Sequence, residues 1–303
     1  MNSSDTVLVT ESISRDGLQS LGAVVPTEAK VHLIRQLISS GLGSFDAVSF
    51  VNPKVVPNMA DGTEVIAGLA DVRDGVELAG LVPNLRGLEA AVDAGVDTIG
   101  LLTAASDTFN LRNINATVEE AMERIRSVLE RVPGEIDVRA YVSTITHCPY
   151  EGPTDPARVA ELTERLIEWG VDWVYLGETL GRGTPDDVER VLNRVFEVAP
   201  PDRIGVHFHD TFGQGVANTH LSLQRGIRRL DSSAGGLGGC PFAPGAAGNV
   251  ATEDVLWLLD GMGLKHGVDA TTVARAARAF AAEQRIAIRS KANEALLAGQ
   301  EVG

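Results

Sequence analysis

The chain has 303 residues, 44% of them hydrophobic and 22% charged, with a formal net charge of −15. That length suits two average domains or one α/β barrel, and the composition is that of an ordinary soluble protein with a large core. The negative charge argues against a nucleic-acid partner, which wants a basic face, and no apolar run approaches the ~18 residues of a membrane span.

Eight short apolar runs predict strands at 6–10, 47–51, 79–83, 98–102, 136–143, 173–177, 204–209 and 229–232. Segments with helical spacing lie between them, among them 28–40, 118–132 and 156–169. In the first, Val31, Ile34, Leu37 and Ile38 share a face. Gly41, Gly95, Gly170 and Gly226 stand where helices should stop. Strand–helix alternation repeated eight times predicts a parallel sheet closed into a (β/α)8 TIM barrel over 1–250. The alternative is an open doubly wound sheet. Against it, no Gly-x-Gly-x-x-Gly follows the first strand and no Walker loop occurs. Residues 251–303 read as helices, 255–261 and 270–288 among them, packed on the barrel.

The N-terminal residues lack a basic region followed by a long apolar run, so no secretory leader is read. Two cysteines, Cys148 and Cys240, make no disulfide framework and fit a reduced, cytoplasmic setting.

In such a barrel chemistry sits at the C-terminal ends of the strands. His207 and His209 stand two apart on the seventh strand, so both imidazoles point one way and Phe208 the other. The first strand ends at Arg15, Asp16 and Gln19, and the second carries Asp46 and Ser49. Tyr141 lies on the fifth, Glu178 and Thr179 end the sixth, and Asn249 follows the eighth. Asp16, His207, His209 and Asn249 together offer mixed oxygen and nitrogen ligands without thiolate. That set suits Mg2+ or Mn2+, with Co2+ or Zn2+ as alternatives. Each residue also has a plainer reading. Asp16 and Asn249 can be caps, Arg15 a surface ion pair, Asp46 and Glu178 structural acceptors, and Cys148 packing. Cys240 follows Gly235-Gly236-Leu237-Gly238-Gly239, poor core material, which favours a functional thiol on a loop.

From about Thr10 to about Asn293 the chain resembles 3-hydroxy-3-methylglutaryl-CoA lyase, within the metal-dependent TIM-barrel lyases and Claisen-type synthases. The resemblance rests on Arg15-Asp16-Gly17-Leu18-Gln19, on Ser49-Phe50-Val51-Asn52-Pro53-Lys54 and on Cys148-Pro149-Tyr150-Glu151-Gly152. It rests also on the run from His207 to Gln214 and on the segment from Asp231 through Cys240 to Asp254. It implies retro-Claisen cleavage of an acyl-CoA thioester to acetyl-CoA and a 3-keto acid, in leucine catabolism and ketone-body formation. It implies Asp16, His207, His209 and Asn249 as metal ligands and Arg15 facing the thioester oxygen. Asp46, Glu178, His207 and Cys240 join Arg15 and Asp16 as catalytic candidates, and Arg15, Gln19, Ser49, Tyr141 and Thr179 are the substrate-binding ones. A homodimer is a further expectation.

Several positions depart from that pattern. Asp46 stands where the family has Glu, and Glu178 where it has Asp. Opposite swaps of about one methylene compensate if both carboxylates address one metal-water-arginine network. Tyr175 replaces Ser, Ser14 replaces Pro, His147 replaces a small residue, and Ser20-Leu21-Gly22 stands where the family has a substrate-associated Lys. These changes point to a related substrate with a different C3 group. A condensing synthase or aldolase, and a barrel that binds a CoA ester without turning it over, are the rival readings.

Overall fold

The computed structural model describes residues 5–239 and 248–298, so Cys240 lies outside the described residues. Eight parallel strands form the barrel: β1 (Leu8–Glu11), β2 (Ser44–Ser49), β3 (Glu77–Leu81), β4 (Thr98–Ala104), β5 (Asp137–Ser143), β6 (Trp173–Glu178), β7 (Ile204–Phe208) and β8 (Arg229–Ser232). They close in sequence order, with β8 pairing back onto β1. The expected barrel is therefore the observed fold, with no open edge left. Strand ends shift by at most three residues from the sequence expectation, and β8 does not shift. At β2 the register slips between Asp46 and Val48, and the strand runs earlier than its apolar residues alone indicate.

The first seven connections carry α1 (Thr27–Ile38), α2 (Gly62–Ala67), α3 (Leu85–Ala94), α4 (Asp107–Ile114), α5 (Val118–Leu129), α6 (Pro156–Glu168), α7 (Pro185–Val195) and α8 (Gly215–Gln224). Local chemistry starts them where they start. Thr117 and Glu120 cap α5 reciprocally, and Thr184 and Asp187 do the same for α7, which opens on Pro185. All four helix-end glycines have positive φ, which glycine adopts at no steric cost. In α6, Val159, Leu162 and Leu166 are buried against the strands.

After β8 come α9 (Thr252–Met262), α10 (Ala270–Gln284) and α11 (Lys291–Ala298). α9 packs on α8 and α10 on α1, so the helical ring closes across the β1/β8 seam. Two buried carboxylates knit these helices to the barrel. Glu11 accepts from the Thr252 hydroxyl at 2.6 Å, and Glu253 from the Gly235 amide and from Asn293 Nδ2, each at 2.8 Å. Burial pushes Glu11 up to about 7, against the hydrogen bonds that favour its charge. No helix among the described residues is long and apolar enough to cross a membrane.

The barrel interior is polar at its lower end and aromatic above. Glu77 accepts from Ser44 at 3.0 Å and Thr98 at 2.7 Å, and pairs with Arg139. One layer up, Tyr141 and Tyr175 pack with ring centroids 5.3 Å apart. Glycine makes room for Tyr175, because a Cβ at Gly205 would sit 2.5 Å from its ring. The large side chain on β6 is thus matched by an absent one on β7. Gly205→Ala is expected to cost about 1–3 kcal/mol through overpacking, read as a lowered Tm. Adding Tyr175→Ser should recover most of the loss.

Candidate active site

β1 leads into a single π-helical turn, Ile13–Gly17, every residue of which is buried. Such turns re-aim side chains by one extra residue per turn and are frequent at functional sites. This one aims Arg15 and Asp16 into the barrel mouth. Ser14 anchors it sideways, donating to the Ala47 carbonyl at 2.9 Å where β2 slips register. The hydroxyl thus gives the Ser-for-Pro departure a structural use.

Arg15 is 6% exposed and joins two carboxylates. Its Nε donates to Asp46 Oδ2 and its Nη1 to Asp16 Oδ1, each at 2.6 Å, while Nη2 pairs with Asp46 as well. Asp16 is further held by Gln19 Nε2 and Asn249 Nδ2, both at 2.8 Å. All of these come from charge-assisted donors or amides that fix the carboxylate's plane.

β7 delivers the imidazoles. Phe208 enters the hydrophobic core while His207 and His209 face inward, as period two demands. Each Nε2 lies 3.8 Å from Asp16 Oδ2, and one ligand atom from each of the three residues falls within 4.8 Å of the others. Asn249 reaches the cluster because 248–250 pairs with the end of β7: His209 bridges Asn249, and Val250 N donates to the Phe208 carbonyl at 2.9 Å. Gly238, at φ +129°, lets the loop cross over this amide, since a Cβ there would lie 2.5 Å from Asn249 Nδ2. Asn249 Oδ1 is buried with no hydrogen-bond partner. Two imidazole nitrogens, a carboxylate oxygen and an unpartnered amide oxygen fit a hard or borderline divalent cation.

The electrostatics suit the same occupant. Burial alone would raise Asp16, but Arg15 and the two histidines hold it at about 2. Burial, and then the neighbouring His207, depress His209 to about 4. Burial would also depress His207, yet its hydrogen bond to Asp231 and the charge of Asp16 raise it. At pH 6 Asp16 is therefore anionic and His209 neutral, and only His207 carries a proton a cation must displace. Mn2+ binding at pH 6 is expected to release close to one proton, not two, measured by calorimetry in buffers of different ionisation enthalpy.

Other candidates are placed less uniformly. Ser49 Oγ and the Tyr141 hydroxyl are buried without partners, and the Tyr141 ring meets His207 edge-on at 6.0 Å. Thr179 Oγ1 is engaged by the fold, accepting from the Thr144 amide at 2.9 Å. Glu178 is held by groups other than Arg15. It accepts from Thr146 Oγ1 at 2.8 Å, and the loop amides of 181–183 favour its charge against burial. No ion pair joins it to Arg15 or Asp16 among the described residues. Asp46 pairs with the arginine, and Glu178 is held by Thr146 and the loop. Cys148 Sγ lies 3.0 Å from Ser106 Oγ and accepts the Tyr150 and Glu151 amides at 3.4 Å, a turn-holding role. Sequence reasoning missed Asp231, whose Oδ2 lies 3.1 Å from His207 Nδ1. A carboxylate inside the strand Arg229–Ser232, two residues from another inward charge, was the signal available.

The HMGL-like family model matches residues 7–279. The Arabidopsis thaliana protein named hydroxymethylglutaryl-CoA lyase, mitochondrial, is 47% identical over 264 residues, covering 87% of this chain and 56% of that protein. The chain thus spans just over half the length of that relative. A Pseudomonas aeruginosa protein named 3-hydroxy-3-isohexenylglutaryl-CoA/hydroxymethylglutaryl-CoA lyase is 42% identical over 98% of this chain and 99% of its own. A crystal structure of hydroxymethylglutaryl-CoA lyase from P. aeruginosa superposes with a TM-score of 0.94 at 42% identity, covering 97% and 98%. A lyase structure from Acinetobacter baumannii with coenzyme A and 3-methylmalate gives 0.92 at 34%, covering 99% and 96%. With its barrel, its Arg15–Asp16 turn and its paired histidines, this chain belongs to the HMGL-like family.

Proposed function

We propose that the chain is a divalent-metal-dependent carbon–carbon lyase. Its substrate is 3-hydroxy-3-methylglutaryl-CoA or a close homologue, cleaved to acetyl-CoA and a 3-keto acid, acetoacetate for the parent compound. The observation that carries this reading is the meeting of Asp16, His207 and His209 beside a guanidinium held by two carboxylates. Asp16, His207, His209 and Asn249 would hold Mg2+ or Mn2+, which supplies Lewis acidity that lowers the pKa of the substrate's tertiary hydroxyl. Arg15 is fixed on one side by Asp46 and Asp16, so it presents its charge to the thioester oxygen, where negative charge gathers as the C2–C3 bond breaks. Fixing the arginine beforehand removes reorganisation from the step. Ser49 and Tyr141 offer unpartnered hydroxyls to the acyl group, and Gln19 braces Asp16. Cys240, which follows β8 in the sequence, serves in proton transfer to the enolate carbon. Cys240→Ser is expected to slow turnover about 10- to 100-fold with metal affinity unchanged, the range of one positioned proton carrier.

Residues 251–303 act as a helical buttress on the 1–250 barrel. The working form is a cytoplasmic homodimer, its oligomeric state tested by analytical ultracentrifugation. The decisive assay follows acetyl-CoA release from 3-hydroxy-3-methylglutaryl-CoA with and without chelator. Full activity after exhaustive chelation overturns the reading. Acetyl-CoA consumption with a 2-keto acid would instead mark a synthase.

A second reading rests on Tyr175, which fills the barrel interior where the family has a small serine, and on the substrate in the name of the P. aeruginosa relative. It assigns a 3-hydroxyglutaryl-CoA with a different C3 substituent. Clear preference for the methyl compound in a kcat/KM comparison ends it.

A further inference from the structure

The two imidazoles at the site are held differently. His207 Nδ1 lies 3.1 Å from Asp231 Oδ2, whereas His209 Nδ1 is buried with no such partner. Asp231 stands beside His207 in the β7/β8 ladder, so the backbone register itself presents the carboxylate to that ring. Its side chain is fully buried. A carboxylate is an acceptor only, so it takes the Nδ1 proton and leaves the Nε2 lone pair free. Nε2 is the atom that lies 3.8 Å from Asp16.

An isolated buried carboxylate is costly unless its charge is answered. Asp231 is answered from β5. Arg139 and Tyr141, two residues apart on one face, both feel its charge. Arg139 spends Nη2 on Glu77 and keeps Nη1 unpartnered. The Tyr141 hydroxyl and Asp231 Oδ1 are unpartnered too.

We propose that Asp231 is the positioning residue that commits His207 to the Nδ1–H tautomer and so to metal binding through Nε2. The inference rests on the metal-site reading above and extends it to a residue that touches neither metal nor substrate. Its consequence is a division of labour. His207 is locked as a ligand and is removed from the list of proton carriers.

The test uses the full chain. Two-bond 15N–1H correlation of the metal-free protein, recorded at a pH high enough for the ring to be neutral, should show His207 as the Nδ1–H tautomer. An Nε2–H tautomer there overturns the proposal without any variant. Asp231→Asn, whose amide can donate to Nδ1, should shift that signature toward Nε2–H. It should weaken Mn2+ binding by calorimetry about 10- to 100-fold, the usual effect of losing such a partner. Asp231→Glu should recover part of the affinity. Wild-type affinity with an unchanged tautomer in Asp231→Asn overturns the assignment. If the unmodified protein binds no Mn2+ at all, the metal-site reading fails first and carries this proposal with it.

Discussion

His209→Ala is expected to abolish metal-stimulated turnover, lowering kcat by at least ~10^3-fold, equivalent to about 4 kcal/mol of transition-state stabilisation. Removing one of two nitrogen ligands leaves Asp16 and Asn249 to compete with water for the cation. The fold should survive. The strand's packing side chains, Val206 and Phe208, lie on the opposite face and stay in the core. Metal stoichiometry should fall below that of the unmodified protein, while far-UV circular dichroism is unchanged. An unaltered rate would remove His209 from the mechanism.

Arg15→Lys should be nearly as damaging. The guanidinium engages Asp46 through Nε and Nη2 and Asp16 through Nη1, a fork that a single ammonium cannot reproduce. We expect kcat/KM to fall about 10^2- to 10^3-fold, as for loss of one preorganised donor at a developing oxyanion. Arg15→Met goes further and leaves two buried carboxylates unanswered, a destabilisation of about 3–5 kcal/mol. pH dependence separates the two contributions. In the native chain Asp16 sits at about 2, below its ordinary value of 3.8. The unfolded chain therefore binds the proton more readily between those values. The stabilisation from Asp16 is complete above about pH 4 and is lost as pH falls through about 2. Without Arg15 that loss should begin at higher pH, raising the midpoint of acid unfolding followed by circular dichroism.

The barrel was legible because its strands are short apolar runs separated by helical spacing, and closure followed from their number. The histidine pair was legible because period two leaves no freedom about which way residues 207 and 209 point. Strand ends were less legible. Polar inward residues such as Ser44 and Glu77 belong to β2 and β3 but break the apolar pattern. The π turn at Ile13–Gly17 has no compositional mark, since it is imposed by packing against β2 and the Ser232–Ser233 segment. The different surroundings of Asp46 and Glu178 have a geometric reason. Glu178 follows inward-facing Gly177 and so turns out of the barrel toward Thr146. Asp231 was missed because a single acidic residue within a strand reads as noise until its neighbour in the ladder is known to be a histidine.

Closure of β8 onto β1 has a bearing on how the chain comes into being. Asp16 is made early during synthesis, while its partner Asn249 follows 233 residues later. No nascent fragment short of the last strand can assemble the cation site, and the contact that completes it spans nearly the whole polypeptide, an entropically slow event. Cation capture would then act as a latch across the final seam to form. It would draw the closed barrel from a population of unsealed intermediates in proportion to its concentration over the dissociation constant.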